Sequence, residues 1–134
     1  MAEQAYLAEP RVGIGLVPGD GGAILWPLLA GVPAARAYLL TGDRMPAAEA
    51  HRLGLVHRVV ERGALLDEAM ALADRLAGLS PHAVAATKRA LTLQVESAAL
   101  AAFEFAIDAE SQSFDTPELR ATVNQHAARR GQTG

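Results

Sequence analysis

The sequence predicts an α/β chain in which one or two short strands and a glycine turn precede a mostly α-helical C-terminal region. The apolar segment 12–17 runs directly into a turn, residues 18–22, that holds three glycines and one proline. From residue 64 onward, leucines and alanines recur at alternating spacings of four and three, as on one face of a helix. Aromatic residues make up only 4% of the chain, so leucine, valine and alanine must form the core, which suits packed helices.

The elements of the first half are defined by turn residues and apolar spacing. We expect a buried strand at 12–17 because it is a short apolar run that ends in a turn. Pro27 lies either in the first turn of the next helix or interrupts it. The later elements should be a helix at 22–30 stopped by Gly31, a helix at 33–40, a short helix from Pro46 in its first turn through Leu53, and a short strand at 55–60.

The second half is predicted to be helical throughout. Ser80 is a predicted N-cap and Pro81 a first-turn residue, which separates a helix at 64–79 from the next one. Two helices are then expected, the first with Val84, Leu91 and Val95 on its apolar side, the second with Leu100, Phe103, Ile107 and Phe114. A last helix at 118–129 should begin after the cap Asp115-Thr116, and residues 131–134 should fray.

Composition excludes several classes of function. At 134 residues, with 51% hydrophobic residues, the chain can form one domain with a real core. The net charge of −3 provides no basic surface for nucleic acid or for a membrane. Without cysteine there is no thiolate or disulfide chemistry, and the four histidines lack metal-ligand spacing, so no metal is expected. No signal peptide pattern is seen, and the longest apolar run, 23–30, is too short to span a membrane; we expect a cytoplasmic protein.

Four motifs follow one another along the chain. They are GLVPGDGG at 15–22, LLAG at 28–31, AYLLTGDRMPAAEA at 37–50 and LGLVHRVV at 53–60. Together they resemble the enoyl-CoA hydratase/isomerase (crotonase) family. The family typically has G-x-x-P-G-x-G-G, L-x-G, A-x-x-L-x-L-T-G-x-x-x-x-A-x-E-A and G-L-V-x-x-V-V in this order. Ser80-Pro81, AATK at 85–88 and SFDTPE at 113–118 continue the match, so it covers nearly the whole chain.

The resemblance implies a crotonase-like fold and acyl-CoA chemistry. Family members have a spiral of strand-strand-helix turns followed by a helical region, and they form trimers or pairs of trimers. Residues 1–62 then correspond to the end of the spiral and 63–134 to the helical, oligomerising region. The implied reaction is hydration or double-bond isomerisation of an enoyl-CoA thioester. CoA enters only as part of the substrate, and no other cofactor is implied.

The resemblance also indicates which parts of the site lie in this chain. Both segments that supply the family's oxyanion hole, and its first catalytic glutamate, precede the P-G-x-G-G element and fall outside these residues. Pro10 matches the proline of a proline-glutamate pair that carries the second glutamate, but Arg11 stands at the glutamate position. Arginine cannot act as a base at neutral pH, which argues against a two-glutamate hydration. Glu9 is at most a shifted carboxylate.

Asp20 is the remaining candidate for a catalytic acid. It lies in the glycine turn, where some family members place a carboxylate. The alternative is a turn residue that hydrogen-bonds its own backbone. Pro10, Arg11, Pro18, Gly19 and Gly21 are candidates for substrate contact. The glycines let backbone N–H groups approach a ligand; equally, they serve only the close packing of the strand against the helix.

Two hypotheses remain open for the whole chain. Either it is part of a full crotonase-fold enzyme and is inactive without its N-terminal half, or it is a non-catalytic module that joins or caps a longer homologue. A strand at 12–17 needs neighbours from upstream sequence or from another chain, since an isolated strand leaves its edges unpaired. We therefore expect self-association or poor solubility of the isolated chain.

Overall fold

A computed structural model describes the backbone of residues 1–131 and the side chains of residues 1–129. The expected fraying at 131–134 lies, apart from Gly131, outside the described residues. The structure consists of two very short strands and six α-helices in its described part. They are β1 (Tyr6–Leu7), α1 (Gly22–Ala30), α2 (Val32–Thr41), β2 (Met45–Pro46), α3 (Ala47–Arg52), α4 (Leu65–Ala77), α5 (Pro81–Ser113) and α6 (Pro117–Gly131), with 3-10 segments at Arg11–Ile14 and Arg62–Ala64.

The strand predicted at 12–17 is wrong. Its first residues belong to the 3-10 segment Arg11–Ile14, which Gly15 ends in the left-handed conformation with φ of +86°. The backbone N–H groups of Gly15 and Leu16 donate to Val12 and Arg11, at 3.0 and 2.9 Å. Because these donors are satisfied within the turn, the apolar run needs no sheet partner, and the described residues offer it none.

The second predicted strand, at 55–60, is wrong as well. The N–H groups of Leu55 and Val56 both donate to the carbonyl of Ala50, at 2.9 and 3.3 Å, so this stretch begins as an extension of α3. Only Val60 pairs, in a single parallel bridge with Ala2. The pairing that does form a sheet, antiparallel β1 with β2, was not predicted.

The helices of the first half lie where their turn residues placed them. The bounds of α1 are those predicted, and Pro27 lies in the interior of that helix, not in its first turn. Gly31 separates α1 from α2, which extends one residue beyond the prediction at each end. Pro46 precedes α3 as its N-cap, so the prediction that it occupies the first turn is off by one residue.

In the second half, the predicted break between two helices is absent. Ser80 caps a single helix, α5, of 33 residues, its Oγ accepting from the N–H of Ala83 at 3.4 Å. Residues 96–99, where the break was expected, are Glu-Ser-Ala-Ala, and neither glycine nor proline stops the helix there. Thr116 caps α6, its Oγ1 accepting from Leu119 N at 3.4 Å, as the sequence predicted.

The buried apolar residues lie on α1, α2, β2, α3, the end of α5 and the start of α6. They are Ile24, Ala35, Leu39, Met45, Ala47, Ala50, Ala106 and Leu119. By contrast, α4 has no buried residue, and α5 buries only Ala106 and Ser113.

By length and composition α5 is also a helix that could cross a membrane, with a mean hydropathy of 1.4 in its most apolar stretch; a single such helix is weak evidence of a span.

Candidate functional site

Arg11 is the centre of a cluster of charged side chains beside the glycine turn. Its Nε and Nη2 donate to the two carboxylate oxygens of Glu9, each at 2.6 Å, in a bidentate pair. Its Nη1 donates to Oδ1 of Asp20 at 2.5 Å and to Oε1 of Glu110 at 3.2 Å. The 3-10 segment, the turn and α5 thus meet at one guanidinium.

The cluster is partly buried and carries more carboxylates than cations. The side chains of Glu9, Glu110 and Arg11 are 12%, 14% and 23% exposed, whereas Asp20 is 62% exposed. The hydrogen bond with Glu9 raises the pKa of Arg11 above its ordinary value, burial opposes this, and Asp20 adds to the rise. Arg11 is therefore a permanent cation and hydrogen-bond donor, and it cannot exchange protons with a substrate.

Asp20 is the accessible carboxylate of the cluster. The structure brings it to Arg11, a contact that neither alternative for Asp20 anticipated. Among the described residues, no backbone N–H donates to the Asp20 carboxylate, so its partner is the arginine and not its own turn. An exposed carboxylate with one oxygen anchored is a group that a substrate can reach.

The glycines of the turn pack against α5. A Cβ on Gly19 would lie 2.1 Å from the carbonyl oxygen of Ala106, and Pro18 and Gly19 are both buried. Of the two roles that the sequence left open for Gly19, this geometry favours close packing. Gly21, with φ of +155°, begins α1 as its N-cap, and a Cβ added to it would have Leu25 as its nearest neighbour, at 3.7 Å. Pro10 precedes the 3-10 segment, and its carbonyl accepts from Gly13 N at 3.1 Å.

Two residues of α5 that the sequence did not predict as site residues complete the site. Glu110 reaches Arg11, and Ser113 accepts a hydrogen bond from Val17 N at 3.3 Å while donating to Ala109 O at 2.8 Å. Ala106, Glu110 and Ser113 are spaced by four and three residues and so share one helix face. The spacing of these three residues is visible in the sequence. Nothing in the sequence, however, links their helix face to a turn about 90 residues away.

The described residues hold no group of three His, Cys, Asp or Glu side chains arranged to bind a metal ion.

A separate cavity of about 390 Å³ lies between the segment 57–60 and α4. Its walls carry Arg58, which pairs with Glu68, together with Leu72 and Arg75. No residue of the Arg11 cluster lines this cavity.

Comparison with known proteins identifies the family of this chain. Residues 1–132 match the enoyl-CoA hydratase/isomerase family. A carnitinyl-CoA dehydratase of Citrobacter koseri is 42% identical over 87 residues, which is 65% of this chain and 33% of that protein. A carnitinyl-CoA dehydratase of Salmonella agona is 41% identical over the same length, with the same shares covered.

Solved structures agree with this match. An enoyl-CoA hydratase/isomerase from Mycobacterium paratuberculosis superposes with a TM-score of 0.86 at 44% identity, over 92% of this chain and 49% of that one. A carnitinyl-CoA hydratase from Mycobacterium avium gives 0.85 at 27% identity, over 96% and 50%. The chain thus spans one third of the curated relatives and about half of the solved ones. Together with the glycine turn and the helical C-terminal region, these matches show that the chain belongs to the enoyl-CoA hydratase/isomerase family.

Proposed function

We propose that this chain takes part in the hydration or double-bond isomerisation of an enoyl-CoA thioester, or in the reverse dehydration, with Asp20 moving the proton. The observation that supports it is the exposed Asp20 carboxylate held by Arg11 in the family's glycine turn. The relatives named carnitinyl-CoA dehydratase make a carnitinyl thioester the first substrate to test. CoA enters as part of that substrate, and no redox or metal cofactor is proposed.

The roles of the two residues follow from their chemistry. An ionised Asp20 can accept a proton from a carbon next to the thioester carbonyl. In isomerisation the same carboxyl group returns that proton to the far carbon of the allylic system, the double bond moves, and no other reactant is needed. Arg11 cannot supply the second acid or base that a two-carboxylate hydration requires, so its role is to hold Asp20.

The isolated chain is expected to be inactive. In the family the oxyanion hole comes from segments that lie outside these residues, and each of its donors contributes roughly 10² to 10³ in rate. We expect the purified chain to turn over crotonyl-CoA or carnitinyl-CoA no faster than buffer. Saturable turnover by the isolated chain that disappears in Asp20→Asn would contradict this expectation.

The decisive experiment supplies the upstream half. The chain is fused to the N-terminal half of a family member, and thioester turnover is followed by absorbance. We expect turnover that Asp20→Asn abolishes and that Asp43→Asn, a matched change at another exposed aspartate, leaves unchanged. Equal turnover by the two variants would remove Asp20 from the mechanism.

A second function, a non-catalytic module that joins or caps a longer homologue, is supported by the surface of α4 and α5. Both helices expose large apolar side chains, namely Leu65, Leu66, Met70, Leu72 and Leu76 on α4 and Leu91, Leu93, Leu100, Phe103 and Phe105 on α5. Such a surface fits a homo-oligomer, trimer-based as in the family, or association with a longer homologue. Co-purification with that homologue at fixed stoichiometry supports the module, and a monomer by light scattering argues against both assemblies.

A cytoplasmic location is proposed together with the acyl-CoA reaction described above. The exposed apolar surface of α5 makes membrane binding the alternative to test. Flotation of the purified chain with lipid vesicles separates the two, since the proposal predicts that the chain does not float with the vesicles, whether or not it self-associates.

A further inference from the structure

Glu110 is a charged group that the proposed reaction does not use, yet it reaches the site. It lies on α5, 99 residues from Arg11 in sequence, and its carboxylate contacts the Nη1 atom of that arginine at 3.2 Å. Its side chain is only 14% exposed. A carboxylate withdrawn from water to this extent needs a partner, and Arg11 is the partner that the structure gives it.

The guanidinium of Arg11 is held through all three of its nitrogen atoms, which lie in one plane. Glu9 occupies Nε and Nη2, and Glu110 shares Nη1 with Asp20. Because hydrogen bonds donated by guanidinium N–H groups are directional, Glu9 and Glu110 set where Nη1 points. The position of Asp20, on an otherwise exposed turn, then depends on a group anchored from α5.

Helix α5 is itself fixed at this place. The Oγ of Ser113 accepts from the backbone of Val17, and Gly19 lies directly on the carbonyl of Ala106. These contacts flank Glu110 by one turn on each side. Its distance from Arg11 is therefore set by backbone packing and not by side-chain freedom alone.

We propose that Glu110 is a positioning residue, which acts through Arg11 to hold the Asp20 carboxylate in the orientation that proton transfer requires. The inference rests on the proposed role of Asp20. It makes α5 part of the site and not only of the oligomerising region.

The first test measures the carboxyl ¹³C resonance of Asp20 in the isolated 134-residue chain at a fixed neutral pH. Glu110→Ala is expected to move this resonance, and Glu110→Gln, which keeps an acceptor oxygen for Arg11, to leave it near the wild-type position. Glu104→Ala is the matched control, since Glu104 is an exposed residue on the same helix. If Glu110→Ala does not fold, Glu110→Asp, with a shorter reach, is expected to show the same displacement.

The second test measures turnover by the fusion with the upstream half. Glu110→Ala is expected to lower kcat by about tenfold with KM unchanged, as misplacement of a catalytic group does, and Glu110→Gln to recover most of it. An unmoved Asp20 resonance in folded Glu110→Ala or Glu110→Asp overturns the proposal, as does a change in KM alone. If Asp20→Asn leaves turnover intact, the proposed function fails, while the resonance still decides whether Glu110 positions Asp20.

Discussion

Replacing Arg11 by glutamine tests whether the cluster holds the fold together. Glutamine keeps much of the side-chain length but removes the cation and the fork that binds Glu9. The chain contains a matched control, because Arg52 forms the same bidentate pair with Glu49, at 2.7 and 2.6 Å, on the surface of α3. Both variants break a bidentate pair, and Arg11→Gln also removes the contacts with Asp20 and Glu110.

The expected cost of Arg11→Gln is about 2 to 3 kcal/mol in the free energy of unfolding. Breaking a fully buried ion pair costs about 3 to 5 kcal/mol, because the remaining charge stays without its partner. Here Glu9 and Glu110 are 12% and 14% exposed, so water relieves part of that penalty. Arg52 is 68% exposed, and solvent screens its pair, so Arg52→Gln is expected to leave stability unchanged within error.

Urea denaturation followed by far-ultraviolet circular dichroism measures both variants. The double variant Arg11→Gln, Glu9→Gln should recover part of the loss, because one of the unpaired carboxylates is then neutral. If Arg11→Gln is as mild as Arg52→Gln, the burial of the cluster contributes nothing, and the reasoning that ties Asp20 to a fixed guanidinium is refuted.

Three further outcomes are expected from single contacts. Gly19→Ala should destabilise the chain by about 1 to 3 kcal/mol in urea, because the new Cβ overlaps α5, while Gly13→Ala, which meets nothing within 4 Å, should cost far less. Ser113→Ala should cost about 1 kcal/mol in thermal unfolding, since a backbone N–H loses its acceptor. The pKa of Glu49 is held below its ordinary value of 4.5 by the hydrogen bond with Arg52. The pair is therefore formed above pH 4.5 and lost as the pH falls through the folded-state pKa, without a measurable effect on stability because solvent screens it, and a ¹³C titration of Glu49 should show the midpoint rise in Arg52→Gln.

Helix ends were predictable because their chemistry is local. Ser80 and Thr116 each cap the helix that begins beside them, and Gly31 ends α1, all within a few residues of the signal in the sequence. The strands were not predictable because a strand depends on its partner. The apolar run after Arg11 has the composition of a strand, but its N–H groups are satisfied inside a turn.

In the site, likewise, the contacts between residues that lie far apart in the sequence were not predictable. Arg11 and Asp20 are nine residues apart, on either side of the segment predicted as a strand, and the ion pair between them was not foreseen. Glu110 and Ser113 lie on a helix about 90 residues further along the chain, and no signal in the sequence placed that helix against the turn. Their contribution emerges only from the packing of α5 on Gly19.

Arg11 does more than stand in place of the catalytic glutamate of the family pattern. Where the family pattern has a carboxylate, this chain has a cation that already binds Glu9, Asp20 and Glu110. Restoring the family residue with Arg11→Glu would therefore not rebuild a two-carboxylate site, because four carboxylates would then share a partly buried space without a counter-charge. We expect this variant to be less stable than Arg11→Gln. The surroundings of residue 11 thus fit an arginine, and Asp20 is the carboxylate of the cluster that they leave exposed to solvent.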